Sequence, residues 1–218
     1  MTISTLTPEH INRYTSRFNI LSNLELDKLR QNAAARSDIL PCIQQDTACL
    51  LQLIVQLIRP RRVLELGTGI GVSTLIIAEA AEQALITTVE RSPVFAAEAK
   101  MNFEDWGVTE RISIMVGDAV EVVEKLDDTY DLIFQDSGKQ TYAPTLDKLV
   151  ELLNVGGLLI ADDTLFPAME LPERNRNSQR VIDKFNHLVS EHPLLESCIL
   201  PIGHGLTIAR KVTDRIFD

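Results

Sequence analysis

Five acidic side chains stand at or just after the ends of short apolar segments that are typical of β-strands: Glu90, Asp118, Asp136, Asp162 and Asp163. Carboxylate oxygens bind hard divalent cations, and they also accept hydrogen bonds from the hydroxyls of nucleoside ligands. Because the carboxyl ends of parallel strands open into one crevice, these residues are expected to share it. The spacing therefore predicts a polar site able to hold a cation, a nucleoside or both.

The cation would be held by Asp136, Asp162 and Asp163, which follow neighbouring predicted strands. Three carboxylates this close repel one another and shift their pKa values upward unless a cation lies between them. Ligands made only of oxygen favour Mg²⁺, with Mn²⁺ or Ca²⁺ as alternatives. The competing interpretation is that one aspartate caps a helix and the others face water.

A glycine-rich stretch after the first predicted strand is suited to a cofactor. It has an apolar run followed by three alternating glycines, in a spacing that fits neither the dinucleotide fingerprint nor the phosphate-binding P-loop. The Glu-x-Gly-x-Gly-x-Gly pattern resembles the first motif of class I S-adenosylmethionine-dependent methyltransferases; another mononucleotide-type site is the alternative. The resemblance implies S-adenosylmethionine at Glu65, Gly67, Thr68, Gly69, Gly71 and Ser73.

Two of the strand-end acids are assigned to the same cofactor. Glu90 follows the glycine stretch at about the separation at which an acid reaches ribose hydroxyls, although a solvated strand end would look the same. Asp118 could accept from an adenine amino group or cap the helix that follows it. Asp136 is predicted to contribute to the cofactor site as well as to the metal site and catalysis.

The elements that must position these residues alternate along the chain. Strands are predicted over residues 63–66, 85–90, 112–116, 130–136, 158–162, 196–200 and 205–209, with helices between the first six. This order predicts an α/β fold with a doubly wound, mostly parallel seven-stranded sheet and an antiparallel hairpin at one edge. Residues 1–218 are expected to form a single domain, with residues 1–40 as an N-terminal helical extension that ends near Pro41.

Composition narrows the class of protein. The chain has 218 residues, of which 45% are hydrophobic and 24% charged, as in ordinary soluble globular domains. The formal net charge of -10 repels phosphate backbones and argues against nucleic-acid binding. The arginines between Arg174 and Arg180 are expected to lie in a solvated loop. No apolar run could span a membrane and the opening residues lack a signal-peptide pattern, so a cytoplasmic location is expected.

The three cysteines do not suggest a disulfide framework or a zinc site, because their number is odd and C-x-x-C spacing is absent. Cys42, Cys49 and Cys198 are therefore expected to be small buried apolar residues.

Four separated segments are similar to the cation-dependent O-methyltransferases, the family that includes catechol and caffeoyl-coenzyme A O-methyltransferases. They begin at Glu65, Phe134, Gly156 and Gly205, and the likeness runs from about Ile39 to Lys211. The resemblance implies the fold predicted above, the metal ligands Asp136, Asp162 and Asp163, Lys139 as general base, and a homodimer. The family usually has asparagine at the position of Asp163, which puts the metal preference in question. It commonly has Ala-Asp in place of Ser137-Gly138, so this chain lacks a side chain at the rim of the site.

The residue chemistry agrees with that role. A phenol is mostly protonated at neutral pH, and chelation of a vicinal diol by a divalent cation lowers the pKa of its hydroxyl. Lys139 can take a proton if burial and the cation depress its own pKa; the alternative is an ordinary surface lysine. Tyr142 is expected to pack its helix against the sheet, and Phe166 is interpreted as a packing residue, with a substrate wall as the alternative. His204 is interpreted as an ordinary hairpin residue, with a place in the pocket lining as the alternative.

The predicted activity is thus methyl transfer from S-adenosylmethionine to a hydroxyl of a small vicinal dihydroxy aromatic. Two alternatives stay open: methylation of a hydroxylated tRNA nucleoside, and a non-catalytic module that binds S-adenosylmethionine or another nucleotide.

Overall fold

One mixed β-sheet organises the molecule. The computed structural model describes residues 7–39 and 42–214, so Pro41 lies outside the described residues. The strands are β1 (Arg62–Leu66), β2 (Leu85–Glu90), β3 (Ile112–Val116), β4 (Tyr130–Gln135), β5 (Leu153–Asp162), β6 (Leu195–Leu200) and β7 (Leu206–Lys211).

The strand order is β3-β2-β1-β4-β5-β7-β6, with parallel pairing from β3 through β5 and antiparallel pairing of β7 with β5 and β6. After β1 the chain adds β2 and β3 on one side of the sheet. It then returns to the other side of β1 with β4 and adds the remaining strands there. Ligands of open α/β sheets bind outside the carboxyl ends of the strands at such a reversal point. The predicted fold is confirmed, including its antiparallel edge hairpin.

Helices cover both faces of the sheet. They are α1 (Pro8–Thr15), α2 (Leu24–Ala34), α3 (Gln45–Ile58), α4 (Val72–Ala80), α5 (Pro93–Asp105), α6 (Ala119–Val123), α7 (Tyr142–Leu152) and α8 (Arg176–Ser190). Local signals explain several ends: Ser92 caps α5 with Pro93 at its first turn, and Asn23 caps α2. Among the described residues, no helix is both long and apolar enough to cross a membrane.

The core lies in two layers because alternate residues of each central strand face opposite sides of the sheet. Val63 joins the layer formed with α3 and α4, whereas Leu64 and Leu66 join the layer formed with α7 and α8. Burial of these strands on both faces matches their nearly continuous apolar sequence.

Three local expectations were wrong. β5 begins at Leu153 rather than Leu158, because Gly156 adopts φ +87° and lets the strand continue through an irregularity in its pairing with β4. Arg176 and Arg180 lie in α8, which begins at Arg176, rather than in a loop. Cys198 is exposed on the edge strand β6, and Cys42 and Cys49 are half-buried.

Candidate active site

A cavity of about 350 Å³ opens at the carboxyl ends of β1, β2 and β4. Its walls include most of the predicted cofactor, catalytic and metal residues: Gly67, Thr68, Gly69, Ser73, Glu90, Asp118, Asp136, Lys139 and Asp163. The other predicted residues, Glu65, Gly71 and Asp162, do not line it. Ile39, Cys42 and Ile43 close one side from the segment before α3. No local pattern pointed to these three residues, because their role depends on how the N-terminal segment packs.

The glycine turn forms the floor of this cavity through Gly67 and Gly69. Gly67, Gly69 and Gly71 all have positive φ, of 104°, 53° and 91°. A Cβ atom on Gly67 would overlap the backbone carbonyl of Asp136, so β1 and the end of β4 can approach only with glycine here. The turn thereby places the predicted cofactor loop directly beside the first predicted metal ligand.

Glu90 holds the glycine turn in place. Its Oε2 accepts from the amide of Gly69 at 2.8 Å, and its Oε1 accepts from the amide of Ser92 at 2.7 Å. Its side chain still lines the cavity, where the second lone pairs of both oxygens can accept from ligand hydroxyls.

Glu65 lies beneath the turn and is fully buried. Its Oε2 accepts from the hydroxyls of Thr74 and Thr88, and Thr88 in turn bonds Thr68 at 2.6 Å. Oε1 has no hydrogen-bond partner among the described residues. Burial raises the pKa of Glu65 to about 7, although the nearby hydroxyls of Ser73, Thr74 and Thr88 lower it. Its contacts support the loop from below, and it is not among the residues that line the cavity.

Asp118 caps α6. Its Oδ1 accepts from the amide of Val120 at 2.9 Å, and its side chain also borders the cavity. The two interpretations of this residue are therefore compatible, because capping uses one oxygen and leaves the other for a ligand.

Two of the three aspartates, Asp136 and Asp163, contact the ammonium group of Lys139. Lys139 Nζ lies 3.1 Å from Asp136 Oδ1, 2.9 Å from Asp163 Oδ2 and 2.8 Å from the hydroxyl of Tyr142. Asp162 Oδ1 accepts from the amide of Asp163 at 2.9 Å. The backbone of Asp163 has φ +60°, a left-handed conformation that aspartate tolerates better than most residues other than glycine.

Shifts in the pKa values of the three aspartates show that their carboxyl groups are buried close together. Burial raises the pKa of Asp162 to about 8, and the charges of Asp136 and Asp163 raise it further. Burial also raises the pKa of Asp136, despite the opposing charge of Lys139. Burial would raise the pKa of Asp163 too, but the hydrogen bond from His204 and the charge of Lys139 hold it below its ordinary value.

Lys139 departs from its predicted state. Burial would lower the pKa of its amine, but the acidic groups of Tyr142, Asp136 and Asp163 raise it well above the ordinary value. The expected depression of the Lys139 pKa needs a second cation to neutralise these carboxylates, so in this arrangement Lys139 is an ammonium ion.

Tyr142 packs as predicted and also takes part in the site. Its ring is fully buried and meets Phe185 edge-on at 5.2 Å, while its hydroxyl lies 3.0 Å from the backbone oxygens of Gln135 and Asp162. It thereby joins the ends of β4 and β5 and provides an acceptor for Lys139.

The donor set fits a hard divalent cation by its chemistry, since it consists of buried carboxylates whose mutual repulsion a cation would relieve. Within the described part of the chain, no group of three or more His, Cys, Asp or Glu side chains is already arranged to hold a metal ion. Lys139 binds two of the three aspartates, so an ion would replace some of its contacts.

Comparison with known proteins identifies the family. A sequence model of the O-methyltransferase family matches residues 18–212. The chain belongs to the O-methyltransferase family. Its members include relatives such as the caffeoyl-CoA O-methyltransferase of Stellaria longipes, 27% identical over 75% of this chain and 73% of the relative. The catechol O-methyltransferase of Niastella koreensis is 29% identical over 69% of this chain and 71% of its own length.

Solved structures confirm the fold of the O-methyltransferase chain. The SAH-bound methyltransferase PaMTH1 of Podospora anserina superposes with a TM-score of 0.84 at 24% identity, covering 98% of this chain and all of that one. A Staphylococcus aureus protein described as a putative caffeoyl-CoA O-methyltransferase gives a TM-score of 0.81 at 24% identity, over 93% and 98% of the two chains. The family and the glycine-floored cavity together make this chain an S-adenosylmethionine-dependent O-methyltransferase.

Proposed function

We propose that this O-methyltransferase requires a divalent cation and methylates one hydroxyl of a small vicinal dihydroxy aromatic. The observation that carries the proposal is that Asp136, Asp163 and Lys139 line the same cavity as the glycine turn. A methyl donor bound over the turn would thus lie beside the acidic cluster, and an acceptor hydroxyl would lie between them.

Asp136, Asp162 and Asp163 would hold the cation. When bound, it would lower the pKa of the acceptor hydroxyl and fix the position of the oxygen. The names of the relatives that act on caffeoyl-CoA and catechol support an aromatic diol as acceptor.

Different side chains of this chain bind the donor, bind the acceptor and transfer the proton. Glu90 and the glycine turn bind and orient the donor, and Phe166, on the wall of the cavity, offers a flat apolar surface to an aromatic ring. A cation that neutralises the aspartates would let Lys139 release its proton to water, and the neutral amine then accepts the proton of the acceptor hydroxyl. Transfer forms the O–CH₃ bond as the S–CH₃ bond breaks, and the bonding electron pair stays on sulfur.

An acceptor panel tests the substrate class. Labelled methyl transfer is measured with catechol, with its monomethyl ether, with a monohydroxy phenol and with purified tRNA, each in the presence of Mg²⁺. We expect product from catechol and little from the other three. Transfer to tRNA with none to catechol would contradict the proposal, as would donor binding without transfer to any acceptor.

We also propose a cytoplasmic homodimer. The exposed apolar side chains of Leu53 and Leu57 on α3 support association, because they are 52% and 72% exposed in the isolated chain. Light scattering during size-exclusion chromatography should give twice the 24.4 kDa mass of one chain. A mass of one chain at micromolar concentration would contradict the dimer.

A further inference from the structure

A histidine outside the predicted site contacts Asp163. The turn between β6 and β7 contains His204, and its Nδ1 lies 3.0 Å from Asp163 Oδ1. Asp163 Oδ2 is already 2.9 Å from Lys139. The two oxygens of this carboxylate are therefore held from opposite sides by side chains of different elements.

The backbone brings this contact about. The amides of Thr164 and Leu165 donate to the carbonyls of Gly205 and His204, at 3.0 and 2.8 Å. Gly205 has φ +97°, and a Cβ atom there would overlap Leu165. The hairpin turn is thus fixed against the residues that immediately follow Asp163, and His204 has little freedom to move away.

The other side of the imidazole is also occupied. His204 Nε2 lies 2.9 Å from the side-chain amide nitrogen of Gln44, the residue before α3. An amide N–H that donates to Nε2 leaves the imidazole proton on Nδ1, where it donates to Asp163. The ring also lies 5.8 Å from Phe166, on the acceptor side of the cavity.

We propose that His204 is a positioning residue that orients the Asp163 carboxylate for the cation and the acceptor. This inference rests on the proposed function. Partners that orient a ligating side chain commonly change metal affinity or activity by about 10- to 100-fold when they are removed. Since His204 holds Oδ1 of Asp163 and Lys139 contacts Oδ2, an ion that displaces Lys139 would find Oδ2 turned towards it.

The test uses two substitutions at one position. His204→Leu keeps apolar bulk but removes the donor, whereas His204→Asn keeps an N–H near the place of Nδ1. His192→Leu is the matched control, because His192 is a half-buried imidazole that bonds the amide of Leu194 on another part of the surface. The full-length chain is used throughout, with Mn²⁺ as the probe.

Three readouts are taken for each variant: Mn²⁺ affinity by calorimetry without substrates, kcat/KM for catechol, and affinity for S-adenosylhomocysteine. For His204→Leu we expect Mn²⁺ affinity and kcat/KM to fall about tenfold or more, with S-adenosylhomocysteine affinity unchanged. His204→Asn should recover most of both losses, and the His192 control should match the wild type. Unchanged S-adenosylhomocysteine binding also shows that the variant is folded.

The outcomes separate this inference from the proposed function. Wild-type Mn²⁺ affinity and turnover in His204→Leu would overturn the positioning role and leave the function intact. If the wild type does not methylate catechol, the function fails, and the Mn²⁺ titrations alone decide the role of His204. A wild-type protein that neither binds Mn²⁺ nor transfers methyl overturns both.

Discussion

At the scale of single residues, the site is built around one lysine ammonium with three close partners. Lys139 contacts two carboxylates and the hydroxyl of Tyr142, and its side chain is only 13% exposed. An ammonium group has three N–H donors, so all of them are used. This arrangement explains why the lysine, predicted as a base, is held in its charged form until something else neutralises the aspartates.

Replacing Lys139 should therefore affect chemistry more than donor binding. Lys139→Met keeps the length of the side chain but removes the proton acceptor, and we expect kcat to fall about 10²- to 10⁴-fold. Affinity for S-adenosylhomocysteine should stay within about threefold, because the glycine turn and Glu90 remain. Steady-state kinetics and calorimetry measure the two effects, and Lys28→Met on the exposed face of α2 is the control. A kcat within a few-fold of the wild type would remove Lys139 from the mechanism.

Glu65 should make stability depend on pH. Its pKa rises from 4.5 in the unfolded chain to about 7 in the folded protein, so the folded state binds more protons between these values. Its contribution to stability is fully present below about pH 4.5 and is lost as the pH rises through about 7. A shift of this size corresponds to a few kcal/mol, about 1.4 kcal/mol per pKa unit.

Glu65→Gln removes this titration while keeping an oxygen for Thr74 and Thr88. We expect the difference in unfolding free energy between pH 5 and pH 8 to shrink by about 1 to 3 kcal/mol in the variant. Urea denaturation of both proteins at the two pH values gives the comparison. An identical pH dependence in both proteins would show that Glu65 has an ordinary pKa.

At the scale of elements, the glycine turn depends on the close approach of β1 and β4. Gly67 and Gly107 both have positive φ, but a Cβ would collide with Asp136 only at Gly67, whereas it would meet nothing within 4 Å at Gly107. The pair separates two costs of replacing glycine, backbone strain and steric overlap.

Gly67→Ala should consequently weaken S-adenosylhomocysteine binding by more than tenfold and lower the melting temperature. Gly107→Ala should cost only the roughly 1 kcal/mol expected of an unfavourable φ and leave binding unchanged. Thermal unfolding and calorimetry on both variants make the comparison. Equal binding by the two variants would mean that the floor of the cavity can shift to accept a methyl group.

The elements were predictable wherever the local pattern was strong. The β-branched run of Leu85–Glu90 predicted the bounds of β2, and Pro93 marked the start of α5. The start of β5 was missed because glycine pairs usually mark turns, and only pairing with β4 shows that the strand passes through Gly156. The exposure of Cys198 could not be predicted, because it depends on β6 being the sheet edge.

The site residues that could be predicted are those at the carboxyl ends of predicted strands. Asp136 and Asp163 reach one cavity because β4 and β5 are parallel neighbours, which alternation of strands and helices already suggested. The partners of these residues were not predictable, since Gln44 and His204 are 160 positions apart in sequence. The glycines on both sides of His204 were the available signal, and they indicated a turn without indicating what the turn contacts.

At the scale of the whole molecule, the sheet brings two binding functions together. The reversal of strand order between β1 and β4 puts the glycine turn of one beside the acidic end of the other. The formal net charge of -10 repels a phosphate backbone, and the carboxylates beside the glycine turn suit a cation and a small acceptor.

The most direct test of this account is the dependence of methyl transfer on Mg²⁺. Protein stripped with EDTA is supplied with labelled S-adenosylmethionine and catechol, and the initial rate is followed as Mg²⁺ is added. We predict a rate near background without the ion and a saturable rise as the ion is added. An undiminished rate in excess chelator would contradict the central claim that the aspartates hold a cation at the acceptor.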